Sequence, residues 1–181
     1  MDLDPVSRSP YRVMMLYHEL EWKGSADGLM ALRFAQQQIP ALEVELFGVH
    51  AIPNDLPPWI RYHRNPSQGD LRRLYNHAAV FIAPSWTEGW GLPASEAMMC
   101  GAALVATDIK GHREFAIHGQ NALLSPPRQP AALAANIIRV VQDQELRIQL
   151  SRAGNRHIQK FTWNTAVDAF EAALLAAVKP S

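Results

Sequence analysis

Two glutamates, Glu88 and Glu96, flank a segment that contains two glycines and a proline. Gly89 and Gly91 allow the backbone to approach a ligand closely or to adopt a positive φ angle, and Pro93 is typical of a first helical turn. A helix that begins here presents unpaired N–H groups and a partial positive charge, which together favour a phosphate. The segment therefore predicts an anion site with a carboxylate at each end of its loop.

The position of Glu96 within the predicted helix suggests where its carboxylate points. It lies about one turn from the start, and helical side chains tilt back toward the N-terminus, so we expect it to approach the same site as Glu88. Each glutamate also has a simpler interpretation as a partner of the helix dipole. Trp90, between the two glycines, also has a simpler interpretation, as an anchor in the core.

The elements around this segment alternate between short apolar strands and amphipathic helices. Strands are predicted at 12–17, 44–49, 80–83, 103–107 and 122–124, and helices at 27–39, 67–78, from Pro93, and at 112–118. This alternation predicts an α/β fold, a Rossmann-like parallel sheet with helices on both faces and ligands beyond the carboxyl ends of the strands. After Pro130 the pattern predicts a helical C-terminal tail at 131–142, 145–160 and 164–178.

Composition narrows the functional classes. The 181 residues suit one domain, and 17 basic side chains balance 17 acidic ones, which argues against a nucleic-acid partner. The single cysteine, Cys100, cannot form an internal disulfide and is predicted to be a small buried residue. Residues 1–10 lack the apolar stretch of a secretory signal. We therefore expect a cytoplasmic protein, with peripheral membrane association still open.

Glu88, seven intervening residues and Glu96, within EGWGLPASEAMMCG, resemble the signature of the retaining GT-B glycosyltransferases called family four. Lys23-Gly24 resembles the family's phosphate-contacting Lys-Gly. Further segments that resemble the family are 71–83 (LRRLYNHAAVFIA), 103–107, 111–114 (GHRE) and 119–126. The resemblance covers about residues 12 to 175 and implies a single lobe of a GT-B fold.

The resemblance also implies a role for each matching residue. Glu88 would contact the hydroxyls of the transferred sugar, and Glu96 the ribose hydroxyls, as an ionised carboxylate can. Lys23 would neutralise charge on the leaving group. The diphosphate would bind backbone amides of Gly89, Trp90, Gly91 and Leu92. The family commonly works without a metal, so we expect a nucleoside-diphosphate sugar as donor substrate and no tightly bound cofactor.

Three further positions have alternative interpretations. The family usually places Gly-Arg where this chain has Tyr17-His18, so either a protonated His18 or another side chain is expected to replace that phosphate-binding arginine. Arg64 and Asn65 are predicted in a loop where such enzymes often contact the base. A solvated loop explains them equally well.

The resemblance implies the following organisation. Residues 1–11 would be a leader or interdomain linker, and 12–181 a nucleotide-sugar-binding domain whose last helix, at 165–178, resembles one that packs toward the other lobe. That missing N-terminal lobe would bind a glycan or lipid-linked glycan acceptor. The implied reaction is transfer of a hexose-type sugar with retention of configuration, as in polysaccharide biosynthesis, and this chain alone would be an incomplete catalytic unit.

Two alternatives remain at this point. A dinucleotide-binding oxidoreductase fits because 89–94 matches G-x-G-x-x-A and Asp108 ends the following strand. However, five residues separate the strand end near Ala83 from Gly89, whereas a dinucleotide fingerprint turns almost immediately. The second alternative is a non-catalytic module that binds sugar nucleotides.

Overall fold

The computed structural model describes residues 7–51 and 56–178. Its centre is a six-stranded, fully parallel sheet in the order β3-β2-β1-β4-β5-β6. The strands are β1 Arg12–Leu16, β2 Glu43–Gly48, β3 Ile60–Arg64, β4 Val80–Ala83, β5 Ala103–Thr107 and β6 Ala122–Ser125. The predicted Rossmann-like parallel sheet is therefore confirmed.

Seven helices accompany the sheet in the described part of the chain. They are α1 Ser25–Gln38, α2 Gln68–His77, α3 Leu92–Met99, α4 Lys110–Arg113, α5 Pro130–Gln142, α6 Gln144–Ile158 and α7 Trp163–Val178, with a 3₁₀ turn at Glu21–Lys23. Residues suited to helix starts explain two of these positions. The Ser67 side chain accepts from the Asp70 N–H before α2, and that of Asp143 accepts from the Leu146 N–H before α6.

Helices cover both faces of the sheet because alternate strand residues point to opposite sides. Val13 and Met15 of β1 face a core that includes residues of α1 and α5. Met14 faces the other core, which includes Tyr75 of α2 and Met98 of α3. Strands β4 and β5 are buried along their whole length, as their continuous apolar sequences predict, whereas the edge strand β3 is partly exposed.

The order of the strands creates a crevice at the centre of the sheet. After β1 the chain moves toward β2, and after β4 it moves in the opposite direction, toward β5. The loops that leave the carboxyl ends of β1 and β4 therefore diverge, which is where parallel α/β sheets bind ligands. One of these loops carries Lys23 and the other Glu88.

The structure corrects several predicted boundaries. Helix α1 begins at Ser25 rather than Asp27, and α4 ends at Arg113 rather than extending to His118. Arg64 is the last residue of β3, not part of a loop. Cys100 directly follows α3 and is only partly buried. The predicted loop at 51–58 includes 52–55, which lie outside the described residues.

Helix α7 differs from the other long helices because it has no cover. Every side chain described from Trp163 to residue 177 is exposed, including Phe170 at 67% and Trp163 at 87%. The other long helices, α1, α2, α5 and α6, each have buried residues that pack into the two cores. None of the described helices combines the length with the apolar character that a membrane span requires.

Candidate active site

The loops after β1 and β4 are joined at a point where only glycine fits. Gly24 has a φ of 66°, and a Cβ atom there would lie 2.1 Å from the carbonyl oxygen of Pro84. The Trp86 N–H donates to the Trp22 carbonyl over 2.7 Å, which fixes the loops further. This close contact brings Lys23 beside the residues that follow β4.

Lys23 and Glu88 form an ion pair in this crevice. Lys23 Nζ lies 2.8 Å from Glu88 Oε1 and 3.0 Å from Oε2, and Ser85 Oγ donates to Oε1 over 2.9 Å. The two charged side chains are only 23% and 15% exposed. Because the protein supplies these partners, the Glu88 carboxylate is well satisfied before any ligand binds.

The space beside this pair, which we call the Glu88 cavity, is small. Lys23, Ser85, Glu88, Gly91 and His112 are among its lining residues, and its volume is about 20 Å³. That is room for about one water molecule. A sugar or phosphate that enters this space would therefore contact the ion pair directly.

Helix α4, which follows β5, places His112 in the wall of the Glu88 cavity. A Cβ atom at Gly111 would lie 2.3 Å from the Glu88 carbonyl oxygen. His112 is 1% exposed, and its Nδ1 lies 2.8 Å from the Thr107 carbonyl, to which it donates. Burial lowers the pKa of His112, which favours the neutral ring. Its Nε2 faces Gly91, where a Cβ atom would be 3.2 Å away.

The segment between the glutamates has the predicted backbone features. Gly91 precedes α3 with a φ of 97°, and nothing lies within 4 Å of a Cβ atom placed at Gly89. Within the described chain, the N–H groups of Gly89, Trp90 and Gly91 have no backbone acceptor. They are therefore available to an anion.

Trp90 and Leu92 differ in what their side chains do. The Trp90 ring packs against Phe115 and Phe161 at centroid distances of 5.1 and 4.9 Å, as an anchor of the loop would. Leu92 is 66% exposed. Any contact that these residues make with a diphosphate would therefore be through the backbone.

Glu96 lies apart from the Glu88 cavity, on an exposed position of α3. Its Oε2 accepts a hydrogen bond from the Tyr75 hydroxyl over 3.0 Å. It lines an open groove between α2 and α3, which we call the Glu96 groove, of about 380 Å³, together with Gln68, Leu71, Arg72, Tyr75, Met99 and Cys100. Glu88 and Glu96 thus line two different spaces, and the expectation that both carboxylates approach one ligand stays a prediction.

His18 follows β1 and is held by its neighbours in a neutral form. Its Nδ1 accepts from the Leu20 N–H over 3.0 Å, and its Nε2 lies 3.4 Å from Nε2 of His50. Burial, then His50 and Lys23, lower the pKa of His18, while Glu19 and Glu88 oppose them. In this state His18 does not supply the cation that the resemblance places here.

His50 is a residue of this region that the sequence analysis missed. Its Nδ1 lies 3.3 Å from a carboxylate oxygen of Glu19, and its ring meets His18 edge-on at 4.6 Å. Because Nδ1 of His18 is an acceptor, the proton of the neutral ring lies on Nε2, facing His50. The available signal was position: His50 follows β2 as His18 follows β1.

Arg64 lies on β3, two strands away from β1, whose following loop carries Lys23. It ends the edge strand β3 and is exposed. Asn65 follows with a φ of 46°, and its N–H donates to the Gly48 carbonyl over 2.6 Å. Contact between Arg64 and a base stays a prediction.

Acidic and metal-binding side chains are dispersed over the described residues. Among residues 7–51 and 56–178, no three His, Cys, Asp or Glu side chains come together in a way that could hold a metal ion. The expectation that the reaction needs no metal remains a prediction.

Comparison with known proteins identifies the family. Residues 55–157 match the family described as glycosyl transferases group 1, and this range is more than half of the 181 residues. The chain belongs to this family.

Two curated relatives illustrate the extent of the match. The chain is 34% identical over 105 residues to the O-antigen chain mannosyltransferase B of Escherichia coli, which covers 58% of this chain and 27% of that protein. It is 38% identical over 109 residues to a D-inositol 3-phosphate glycosyltransferase of Geodermatophilus obscurus, covering 60% and 24%. The chain thus spans about a quarter of the length of these relatives.

Solved structures share the fold. The C-terminal domain of the group 1 glycosyl transferase LpcC from Francisella tularensis matches with a TM-score of 0.73 and 20% identity, over 84% of this chain and 86% of that one. Anabaena HepE in complex with UDP-glucose matches with a TM-score of 0.77 and 20% identity, over 96% and 50%. The group 1 domain here is therefore a single lobe of the GT-B fold.

Proposed function

We propose that this lobe binds a nucleoside-diphosphate sugar along the carboxyl edge of β1 and β4 and provides the donor half of a retaining glycosyltransferase. The observation that carries the proposal is the arrangement of three features. The Lys23–Glu88 ion pair lies beside free N–H groups at the start of α3, and the Glu96 groove adjoins the same helix. These features suit a sugar, a diphosphate and a nucleoside, in that order along the edge.

The diphosphate would bind where positive charge is available. The N–H groups of Gly89 to Leu92 and the positive end of α3 attract its oxygens, and Lys23 adds a full charge. When the bond between the sugar and the diphosphate breaks, negative charge develops on the leaving oxygen. Lys23 would stabilise that charge, provided that it leaves Glu88 for the phosphate.

Glu88 would exchange Lys23 for the sugar. An ionised carboxylate is an acceptor only, so hydroxyl groups of the transferred sugar can replace the ammonium hydrogen bonds that Glu88 accepts in the empty site. The acceptor hydroxyl would then attack from the face that the diphosphate leaves and give its proton to the leaving diphosphate oxygen, which retains the configuration. The donor sugar is thus held by the group that the departing lysine releases.

Relatives support this class of ligand. HepE forms complexes with UDP-glucose, and a pneumococcal O-GlcNAc transferase, GtfA, forms one with UDP and GlcNAc. The Escherichia coli relative is named as a mannosyltransferase. We infer that the donor here is a nucleoside-diphosphate hexose and that a UDP-sugar is the first candidate.

We propose that a further lobe completes the enzyme in the cytoplasm. The curated relatives are about four times as long as the matched region, and helix α7 carries exposed Trp163, Phe170 and Leu174. Such a lobe would bind a glycan or lipid-linked glycan acceptor and cover α7. A non-catalytic module that only binds sugar nucleotides is the second candidate, and transfer by the complete protein would exclude it.

The test is a calorimetric panel on the purified chain. UDP, GDP, ADP and dTDP are compared with the corresponding monophosphates, nucleosides and diphosphate sugars. We expect at least one diphosphate to bind about ten-fold or more tightly than its monophosphate, since the second phosphate reaches Lys23 and the loop amides. Equal affinities for monophosphate and diphosphate across the panel would remove the phosphate site.

A pair of variants tests the separate roles of the two glutamates. Glu88→Gln is expected to keep affinity for a sugar-free diphosphate and to lose the contribution of the sugar. Glu96→Ala is expected to weaken the sugar-free ribonucleotide itself. If both variants treat the sugar-free nucleotide alike, the division of roles is wrong.

A further inference from the structure

Tyr75 is a core residue whose polar end reaches the ligand groove. Only 3% of the residue is exposed, and its ring packs against Phe47 and Phe81 at centroid distances of 5.7 and 5.8 Å. Its hydroxyl donates to Oε2 of Glu96 over 3.0 Å. Since the ring cannot move without disturbing the core, the hydroxyl is a fixed point in the wall of the Glu96 groove.

Among the described hydrogen bonds, the one from the Tyr75 hydroxyl is the one that fixes the Glu96 side chain. It is exposed on α3, and a glutamate in such a position samples several rotamers. The Tyr75 hydrogen bond occupies one lone pair of Oε2 and leaves Oε1 without a protein donor. One carboxylate oxygen is therefore anchored while the other is free to accept.

The phenol is a donor under all ordinary conditions. Burial and the neighbouring carboxylate of Glu96 raise the pKa of Tyr75 far above its usual range. The hydroxyl therefore keeps its proton, and the direction of the hydrogen bond toward Glu96 does not change with pH.

We propose that Tyr75 is a positioning residue of the donor site, which holds Glu96 so that its free oxygen accepts hydrogen bonds from the ribose hydroxyls of a nucleoside diphosphate. This inference rests on the proposed function and adds a residue and a specificity to it. The Glu96 groove, at about 380 Å³, is large enough for a nucleoside. A carboxylate that is ordered in advance discriminates better, because binding does not have to order it.

A purely structural role for this hydrogen bond makes a different prediction. The carboxylate is exposed, so water can replace the phenol, and removal of the hydroxyl leaves the packed ring unchanged. In that case Tyr75→Phe would alter stability slightly and would affect all nucleotides alike. Discrimination between ribose and 2′-deoxyribose separates the two roles.

The experiment compares Tyr75→Phe with the unmodified chain by calorimetry. The probes are the tightest binder among UDP, GDP and ADP, and its 2′-deoxy analogue. We expect the unmodified chain to prefer the ribose form by about ten-fold or more. Tyr75→Phe should weaken the ribose form by about five-fold, leave the 2′-deoxy form unchanged and so reduce the preference. Tyr11→Phe, at the amino end of β1, is the matched control and should change neither.

A double-mutant cycle tests whether Tyr75 acts through its partner. Glu96→Ala should abolish most of the ribose preference, and adding Tyr75→Phe to it should change nothing further. Urea unfolding checks that each variant is folded. If Tyr75→Phe does not fold, the ribose preference measured for Glu96→Ala remains valid. Equal losses for ribose and 2′-deoxyribose forms, or additive effects in the cycle, would overturn the inference alone. Failure of every nucleoside diphosphate to bind the unmodified chain would overturn the proposed function with it.

Discussion

The Glu88 cavity and the Glu96 groove lie at two ends of one short segment, yet they are built in opposite ways. Glu88 is 15% exposed and meets Lys23 and Ser85 in a space of about 20 Å³. Glu96 is exposed, has Tyr75 as its hydrogen-bond partner and lines a space of about 380 Å³. Lys23 and Ser85 donate hydrogen bonds to the Glu88 carboxylate, which uses both of its oxygens. Among the described hydrogen bonds, the Glu96 carboxylate accepts from the Tyr75 hydroxyl through Oε2.

The difference suggests that the two halves of a donor bind at different cost. A nucleoside can enter the Glu96 groove without displacing a protein contact. On the proposed function, a diphosphate and a sugar exchange the Lys23–Glu88 ion pair for contacts of their own, so their binding carries a cost that nucleoside binding does not. Variants that disturb one of the two spaces should therefore leave ligand binding in the other space unchanged.

The largest effect is expected from Gly111→Ala. Its Cβ atom would lie 2.3 Å from the Glu88 carbonyl oxygen and 2.8 Å from the carbonyl carbon, so the Glu88 backbone must move. We expect a loss of roughly 1–3 kcal/mol in the free energy of unfolding. The contribution of the sugar to donor binding should disappear, because Glu88 is displaced. Urea unfolding and calorimetry measure the two effects.

The control for Gly111→Ala is another glycine that has room for a side chain. Gly69 lies in α2, and the nearest atoms to a Cβ there are 3.8 Å away. Gly69→Ala should keep or slightly increase stability, since alanine favours helix. If Gly111→Ala were equally harmless, the Glu88 cavity would not depend on this contact.

Lys23→Ala should have the next largest effect. Loss of a charge-assisted contact is expected to weaken nucleoside diphosphates by about ten- to a hundred-fold. Nucleosides without phosphate, which reach only the Glu96 groove, should bind as before. Titration calorimetry with both ligands gives the comparison, and Lys160→Ala is the control on an exposed residue. A loss shared equally by nucleosides would show that the two spaces are not independent.

His18→Arg is expected to strengthen diphosphate binding by about ten-fold at pH 8. The pKa of His18 is lowered in the empty site by burial and by His50, and a phosphate beside it would raise that pKa. The unmodified chain should therefore take up protons on binding and bind more tightly as pH falls from 8 to 6. Arginine stays charged, so the variant should lose this pH dependence.

Calorimetry at pH 6, 7 and 8 measures the effect of His18→Arg. His77→Arg, on the exposed end of α2, adds the same charge away from the crevice and serves as the control. Equal gains in both variants would indicate a general charge effect rather than a replacement for a phosphate contact. A pH-independent affinity in the unmodified chain would show that His18 does not bind the diphosphate.

Local sequence signals were sufficient for much of the fold. Continuous apolar runs predicted the buried strands β4 and β5, and the glycines with Pro93 predicted the start of α3 within one residue. These features depend on neighbours in sequence. The resemblance also identified the family and the GT-B lobe correctly.

The contacts that shape the site depend on long-range packing and were not predicted. Lys23 and Glu88 are 65 residues apart, and Tyr75 and Glu96 are 21 apart, so no periodicity relates them. The tilt of helical side chains suggested where Glu96 points but gave no sign of its hydrogen bond with the Tyr75 hydroxyl of α2. Tertiary partners decided where an exposed side chain rests.

The smallest expected effect is a loss of stability at low pH, and it tests His112 in the wall of the Glu88 cavity. His112 is buried, and burial lowers its pKa below the ordinary 6.5. Below that pH the unfolded chain binds a proton that the folded chain does not, so stability is full above about pH 6.5 and falls as pH decreases. We expect a loss on the order of 1 kcal/mol between pH 7.5 and pH 5.5, measured by urea unfolding.

His112→Gln distinguishes this titration from others in the chain. Glutamine has an N–H donor for the Thr107 carbonyl but does not titrate, so the variant should lose the part of the pH dependence that belongs to residue 112. His18 titrates in the same direction and remains in both proteins, which makes the difference between them the relevant quantity. An identical pH profile in the variant would mean that protonation of His112 does not cause the loss of stability at low pH.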